Sequence, residues 1–324
     1  MATIPANSIN LTQDQLAKWL IEDAPYKIQI ARIWPFMGIQ GGKISYARIA
    51  DLTTGFSFDT VADILGDGDT AVTEQANDPD ASNTTFTIGA LATRYFLDYA
   101  STDRFKYPND FDAVESALAI RRLMYMYFRK LDLDNAGTKV GDFDSLGELA
   151  TNITTATNTD KYTKLRSLQE AYFKITANNG RPNAIMCNSA AMRWIINAYY
   201  LAGMNPEVVE TEWGDPLKGT MRAPQIAING TPVYINDWIA TDTNLTKIYF
   251  MVLGDACEAG PVRGITGIVP GPIKPTMFVR HETAEPSTST KSRICVTYTF
   301  PVATAVGSSG ALSVLEGVDV SNVA

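Results

Sequence analysis

NDFDAVESALAIRRLMYMYFRKLDLD, residues 109–134, is the stretch that decides the fold. Its apolar positions recur at helical spacing. Phe111, Val114, Leu118, Tyr125, Phe128 and Leu131 share a face, and Ile120, Met124 and Tyr127 widen it. Asn109 or Asp110 can cap the start. Asp112 and Glu115 sit in the first turns and Arg129 and Lys130 near the end, as the helix macrodipole favours. Gly137 and Gly141 stop it. At about 1.5 Å per residue, a helix of this span runs roughly 37 Å, long enough to act as a spine across a whole domain. Arg121, Arg122, Arg129 and Lys130 make one side of it basic. That side reads either as a solvated face paired with neighbouring carboxylates or as a weak, sequence-independent attractor of nucleic acid.

Upstream of the spine, KISYARIA (43–50) alternates as a strand does, and TTFTIGALATRYFL (84–97) gives a second strand or pair of strands. Between them lies a long segment, from about Asp51 to Asn83, marked by Gly55, Gly66, Gly68 and Pro79. It contains the acidic run GDGDTAVTEQANDPD, with Asp67, Asp69 and Glu74. This predicts a long two-stranded arm with an acidic distal region. An isolated ribbon of two strands is at best marginally stable, so the arm is expected to pack on another subunit. Residues 1–35 read as an extended segment with one helix, where Thr12 and Gln15 form a capping-box pattern ahead of Leu16, Trp19 and Leu20.

Downstream, a mixed module follows. Phe143–Ala150 leads into a polar Thr/Asn stretch, and helices are predicted over Lys161–Thr176 and Ser189–Ala202. Asn183–Cys187 and Ile248–Leu253 read as buried strands. PQIAINGTPVYINDWI (224–239) is a hairpin turned at Asn229-Gly230. TMFVRHE and RICVTYTF alternate again, as antiparallel strands joined across Glu285–Lys291.

Composition narrows the function classes. The 324 residues include 27 Lys+Arg and 35 Asp+Glu, a net charge of −8, with 45% hydrophobic and only 19% charged residues. A polar but weakly charged surface suits a protein that hides much of it against neighbours, because buried charge is costly unless paired. A single histidine, His281, excludes metal sites built from two or three His of one chain. Cys187, Cys257 and Cys295 form neither a CxxC pair nor a full disulfide framework and fit a reducing compartment. MATIPANSIN has no basic region or apolar run of a signal peptide, and Ile248–Leu253 is too short to span a bilayer, so no membrane role is expected. The acidic balance disfavours a sequence-specific DNA binder.

Candidate chemistry is sparse. GIQGGKI (38–44) imitates a phosphate loop, but Met37 stands where its first Gly is needed and Ile44 replaces the magnesium-binding hydroxyl. Asp132, Asp134 and Gly137 imitate the start of a calcium loop, yet Phe143 holds the position of the bidentate Glu. Asp67, Asp69 and Glu74 lack the Gly bend of such a site and read as solvated acids. His281 sits in an alternating strand beside Glu282, without a recognisable nucleophile partner. Cys187, in the run IMC, reads as inert core. No catalytic, metal or cofactor site assembles, and no cofactor is expected.

Taken in order, these features resemble the major capsid proteins of tailed bacteriophages, with the Hong Kong 97-type fold. The resemblance lies in IWPFMGIQGGKISYARIADL, the extended loop, the spine ending in LDLDNAG, FDSLGELA, RPNAIMCNSAAMRWI, INGTPVYINDWI, IYFMVLGDACEAGPVRGITG and the Ala-rich tail ATAVGSSGALSVLEGV. It implies an α+β fold divided into an N-terminal arm (1–42), an extended β loop (43–97), a peripheral domain with the long spine helix (98–142 and 272–301) and an axial domain (143–271 and 302–324). It implies self-assembly into hexamers and pentamers of an icosahedral head around double-stranded DNA, in the virion, after assembly in the host cytoplasm. The partners it implies are further copies of the chain, a portal and packaged DNA held by non-specific contact; a decoration protein is left open. The acids Asp67, Asp69 and Glu74 would then meet basic groups of a neighbour. Some relatives lock neighbours with a Lys–Asn isopeptide bond from a loop-tip lysine. Here the only lysine between Lys27 and Lys106 is Lys43, so no covalent chainmail is expected. The chain passes almost directly from Met1 into the arm, so a separate scaffolding protein is expected. An encapsulin-type nanocompartment shell shares the fold, and a cytosolic β-rich enzyme using His281 or a carboxylate pair is the alternative from another class.

Overall fold

The computed structural model describes residues 29–39, 43–49, 81–98, 111–132, 143–158, 160–177, 181–215, 219–254, 264–271, 278–285 and 293–321. Two large sheets and one ribbon organise them. The first sheet is built around β13 (Arg293–Val306). On one side β13 pairs antiparallel with β4 (Gly89–Asp98). On the other it pairs first with β12 (Val279–Glu285), as far as Thr299, and then with β11 (Ile265–Pro270), from Ala303. Pro301 falls in the gap between those two neighbours, where no strand requires its missing N–H. β1 (Phe36–Ile39) runs parallel to β11 and completes the five strands.

The spine helix, α1 (Phe111–Lys130), lies on β4 and β13. Its 20 residues span about 30 Å. Its buried face centres on Ala119, Leu123, Tyr127 and Phe128, continued by Leu131 just past its end. Leu118 and Tyr125, expected on the central stripe, are only half-buried, and Met126 is exposed. The buried stripe is thus rotated toward Ala119, whose small side chain carries little hydrophobic signal in the sequence.

The second sheet has the order β5-β14-β10-β6-β9-β8-β7. In the same order, these strands are Asn152–Thr155, Leu312–Asp319, Leu245–Met251, Ala184–Cys187, Thr231–Ile235, Gly219–Ile228 and Glu207–Asp215. Side chains alternate between two buried faces, as the strand period of two demands. Ile185 and Cys187 of β6, Ile248 and Phe250 of β10, and Leu315 of β14 face a core shared with α3 (Lys161–Ala177) and α4 (Ser189–Leu201). Ala184, Met186, Tyr249, Met251 and Val314 face the core that contains the spine. Burial on both sides explains why AIMC and IYFM read as unbroken apolar runs. A short helix, α2 (Leu146–Leu149), starts with a complete capping box between Ser145 and Glu148, and Asn188 caps α4. The β8–β9 turn places Asn229 at φ 50° and Gly230 at φ 80°, the mirror-image turn that Asn-Gly favours.

The ribbon consists of β2 (Lys43–Ile49) and β3 (Ala81–Thr87), paired antiparallel from Lys43↔Thr87 to Ile49↔Ala81. Among the described residues it forms a sheet of its own with two strands.

Strand pairing gives three stretches of the sequence reading their place in a sheet. Gly89–Asp98, expected as the end of the extended loop (43–97), is a strand beneath the spine, because β13 offers it pairing along its whole length. Ile265–Pro270 and Val302–Val306, expected in the axial domain, extend the same spine-bearing sheet. Leu312–Asp319, expected in the axial domain as part of an Ala-rich tail, is an inner strand of the second sheet, between β5 and β10.

Candidate assembly surfaces

The C-terminal end of the spine is tied to the second sheet through Asp132. The carboxylate is buried: Oδ1 accepts from the Tyr249 hydroxyl at 2.6 Å and Oδ2 from the Ala240 N–H at 2.7 Å. Nearby, the Asn236 amide donates to the Phe128 carbonyl at 3.3 Å. Asp132, which imitates a calcium ligand in the sequence, is thus a structural bridge between the helix and β10. Asp134 and Gly137 lie outside the described residues.

The opposite end is tied to the first sheet. The Tyr95 hydroxyl donates to Asp112 Oδ1 at 2.6 Å and lies 2.8 Å from Ser116 Oγ. Arg280 on β12 donates to Asp112 Oδ2 at 2.8 Å and reaches Glu282 at 2.6 Å. Burial, and then the bond to the Asp112 carboxylate, push the Tyr95 hydroxyl well above its ordinary pKa. Between these ends, Trp34 Nε1 donates to the buried Tyr127 hydroxyl at 2.9 Å, which sits 3.1 Å from Thr304 Oγ1. One phenol therefore joins the N-terminal segment, the spine and β13. Tyr127→Phe is expected to lower stability by about 1–3 kcal/mol, because the Trp34 N–H loses its acceptor in a dry site. Guanidinium unfolding followed by tryptophan fluorescence measures this; an unchanged midpoint would contradict it.

The basic side of the spine is partly organised by aromatic rings that the helix sequence alone does not reveal. The Arg121 guanidinium lies 5.3 Å from the Tyr125 ring centre and its Nε donates to the Tyr125 hydroxyl at 2.9 Å. The Arg129 guanidinium lies 5.7 Å from the ring centre of Trp238, which itself packs 6.2 Å from Tyr125. Arg122 is exposed and Lys130 half-buried. The structure thus groups Arg121 and Arg129 with Tyr125 and Trp238 in one cation–aromatic row. Trp238 comes from the turn just after β9, with no local signal linking it to the spine.

Asp67, Asp69 and Glu74 lie outside the described residues, as does Cys257. His281 is exposed on β12, opposite Thr297 of β13. Cys187 is fully buried, and burial pushes its thiol far up. Cys295 is also buried, its Sγ 4.0 Å from Thr297 Oγ1. Gly38 of GIQGGKI belongs to β1, opposite Val269, and Lys43 and Ile44 open β2.

Neither the known protein-family models nor the curated proteins match this sequence. Solved structures do. The chain is similar to the SrpI encapsulin from Synechococcus elongatus PCC 7942, at 14% identity and a TM-score of 0.63, covering 99% of this chain and 94% of that one. It is similar to a structure of Microbacterium phage Oxtober96, at 11% identity and a TM-score of 0.57, covering 97% and 95%. It is also similar to the capsid of a native GTA particle, at 12% identity and a TM-score of 0.53, covering 89% of each. The chain has the α+β Hong Kong 97-type capsid fold that its sequence resembles.

Proposed function

We propose that this chain is the structural subunit of a closed protein shell, and specifically the major capsid protein of a tailed bacteriophage. It assembles as hexamers and pentamers of an icosahedral head that encloses double-stranded DNA, in the host cytoplasm, and persists in the virion. The observation that carries this reading is the similarity to three shell structures over nearly the whole chain. The β2–β3 ribbon supports it, since two strands on their own are marginal and gain stability from a neighbour. Many modest interfaces repeated per subunit make a closed shell cooperative. The net charge of −8 means that DNA enters against the shell's own charge and is packed by a motor. A portal and a separate scaffolding protein complete the assembly, a decoration protein remains an optional addition, and the shell is held without covalent cross-links. The domains follow the sheets: a loop at the ribbon, a peripheral unit at the spine-bearing sheet and an axial unit at the seven-stranded sheet. No catalytic role is assigned.

A second reading, an encapsulin-type shell holding enzymes, is favoured by the alignment over 99% of the chain to an encapsulin. One experiment tests both. The chain is expressed alone and with its genomic neighbours, and the products are sized and imaged by electron microscopy. Closed shells are expected. Nuclease-resistant DNA inside supports the phage head, and a co-purifying enzyme supports the nanocompartment. A monomer under every condition would overturn both.

A further inference from the structure

The two outer strands of the seven-stranded sheet, β5 and β7, lie at opposite ends of its order, and among the described residues neither pairs with a further strand on its outer side. Their chemistry is opposite. From Tyr200 to Asp215, through the end of α4 and along β7, the chain carries four acids, Glu207, Glu210, Glu212 and Asp215, and no Lys or Arg. At the other end, α3 packs across β5 and β14 and carries Lys161, Lys164, Arg166 and Lys174 against one acid, Glu170. Both ends also expose large apolar side chains. Tyr200, Leu201, Met204 and Val208 are 48–58% exposed at the acidic end, and Ile153, Tyr162 and Phe173 are 45–66% exposed at the basic end. The hairpin at the acidic end projects: β7 and β8 pair over nine positions, from Glu207↔Ala227 to Asp215↔Gly219, whereas β8 meets β9 only at Ala227 and Ile228. Among the described residues, the outer half of this hairpin pairs only within itself, as a two-stranded ribbon.

We infer that the acidic β7 edge of one copy docks on the basic α3–β5 edge of the next copy, so that the seven-stranded sheets join head to tail into closed rings. Charge selects this geometry. A symmetric contact of β7 with β7 sets four acids against four, and a contact of α3 with α3 sets one cationic cluster against another. Such like-charge contacts are strongly disfavoured. Only the unlike edges attract, and a contact between different patches is heterologous, which produces rings when the rotation closes. Within the chain, Arg166 pairs with Glu170 at 2.8 Å, but both are largely exposed, and Lys174 donates to the Ile153 carbonyl at the rim of the same edge. Lys164 lies over the Trp194 ring of α4, 5.8 Å from its centre, whereas Arg166 and Lys174 line an open surface groove with Phe173, where an incoming acidic strand meets them. The inference rests on the shell reading and adds to it which surfaces meet within a capsomer.

The test uses the full chain. Glu210→Lys and Lys174→Glu are each expected to cut the yield of rings and particles about tenfold, and the double variant, with complementary edges restored, to recover most of it. Circular dichroism melting checks that each variant folds. A second measurement adds Val208→Cys to Ile153→Cys, Tyr162→Cys or Phe173→Cys in one chain and bridges assembled protein with a flexible bismaleimide. At least one pairing is expected to give multimers beyond the dimer that neither single variant gives. Wild-type yields from both charge variants would overturn the inference and leave the shell reading standing, as would cross-linked dimers from Val208→Cys alone. A wild-type chain that never assembles would remove the shell reading itself.

Discussion

Asp132→Ala is expected to destabilise the unassembled chain by about 3 kcal/mol, because a charged acceptor disappears from two donors at once. Tyr249 is fully buried, so its hydroxyl has no water to turn to once the 2.6 Å bond is gone. The Ala240 N–H loses its 2.7 Å partner in the same step. Asp132→Asn keeps one acceptor for Tyr249 but turns an amide toward either the hydroxyl or the backbone N–H, so it is expected to lose about half as much. Tyr249→Phe removes one donor and leaves the carboxylate its bond to Ala240. A double-mutant cycle on Asp132 and Tyr249 isolates their coupling, expected at about 1–3 kcal/mol. Denaturant midpoints at fixed slope measure all four species. Additive losses would show that the two residues act independently and that the bridge does not tie the spine to the second sheet.

Gly264→Ala is expected to cost at least about 3 kcal/mol, at the upper end of overpacking penalties, since the obstacle is backbone. A Cβ there would stand 2.6 Å from the Gly254 nitrogen, 2.9 Å from its Cα and 2.9 Å from the Val252 carbonyl oxygen. No rotamer change relieves such a contact. At this point the chain leaving β10 meets the start of β11: Ile265 N–H donates to the Val252 carbonyl at 2.7 Å and Gly254 N–H to the Ile265 carbonyl at 3.1 Å. Separating the backbones breaks these bonds where one sheet hands over to the other. Gly254→Ala serves as the control: its Cβ would come no nearer than 4.0 Å to Gly264 Cα, so a loss below about 1 kcal/mol is expected. Equal losses from the two substitutions would contradict the close-approach account.

The elements that the sequence revealed share one property: their signal is local. The spine, α3, α4 and the Asn229-Gly230 hairpin carry periodicity, caps or a turn dipeptide within a few residues, and the structure places them within a few residues of expectation. Strands β5, β7 and β14 lacked that signal. NITT is too polar and short to stand out, EVVETEWGD has charges where alternation would place apolar residues, and LSVLEGVD reads as a small-residue tail. They are strands because a neighbour in the sheet supplies their hydrogen bonds, not because their side chains demand it. The candidate surfaces divide the same way. The basic residues Arg121, Arg122, Arg129 and Lys130 were legible on the helix, but Trp238, which stacks with Arg129 from more than a hundred residues away, was not. Asp132 was legible only as a failed calcium loop, since its partners are Tyr249 of β10 and Ala240 in the loop before it, more than a hundred residues away.

By itself, the sequence determined the α+β character, the spine, the order of arm, loop, helix and strands, and with them the resemblance to shell proteins, because helical period, turn chemistry and apolar runs are properties of neighbouring residues. Tertiary structure alone decided which strands share a sheet, that residues 89–98 lie under the spine, and that the acidic β7 and the basic α3–β5 region stand at opposite ends of one sheet. Those outcomes depend on pairings between residues far apart in the chain. The free energy of such pairings comes from hydrogen-bond ladders and buried area that exist only once both partners are in place.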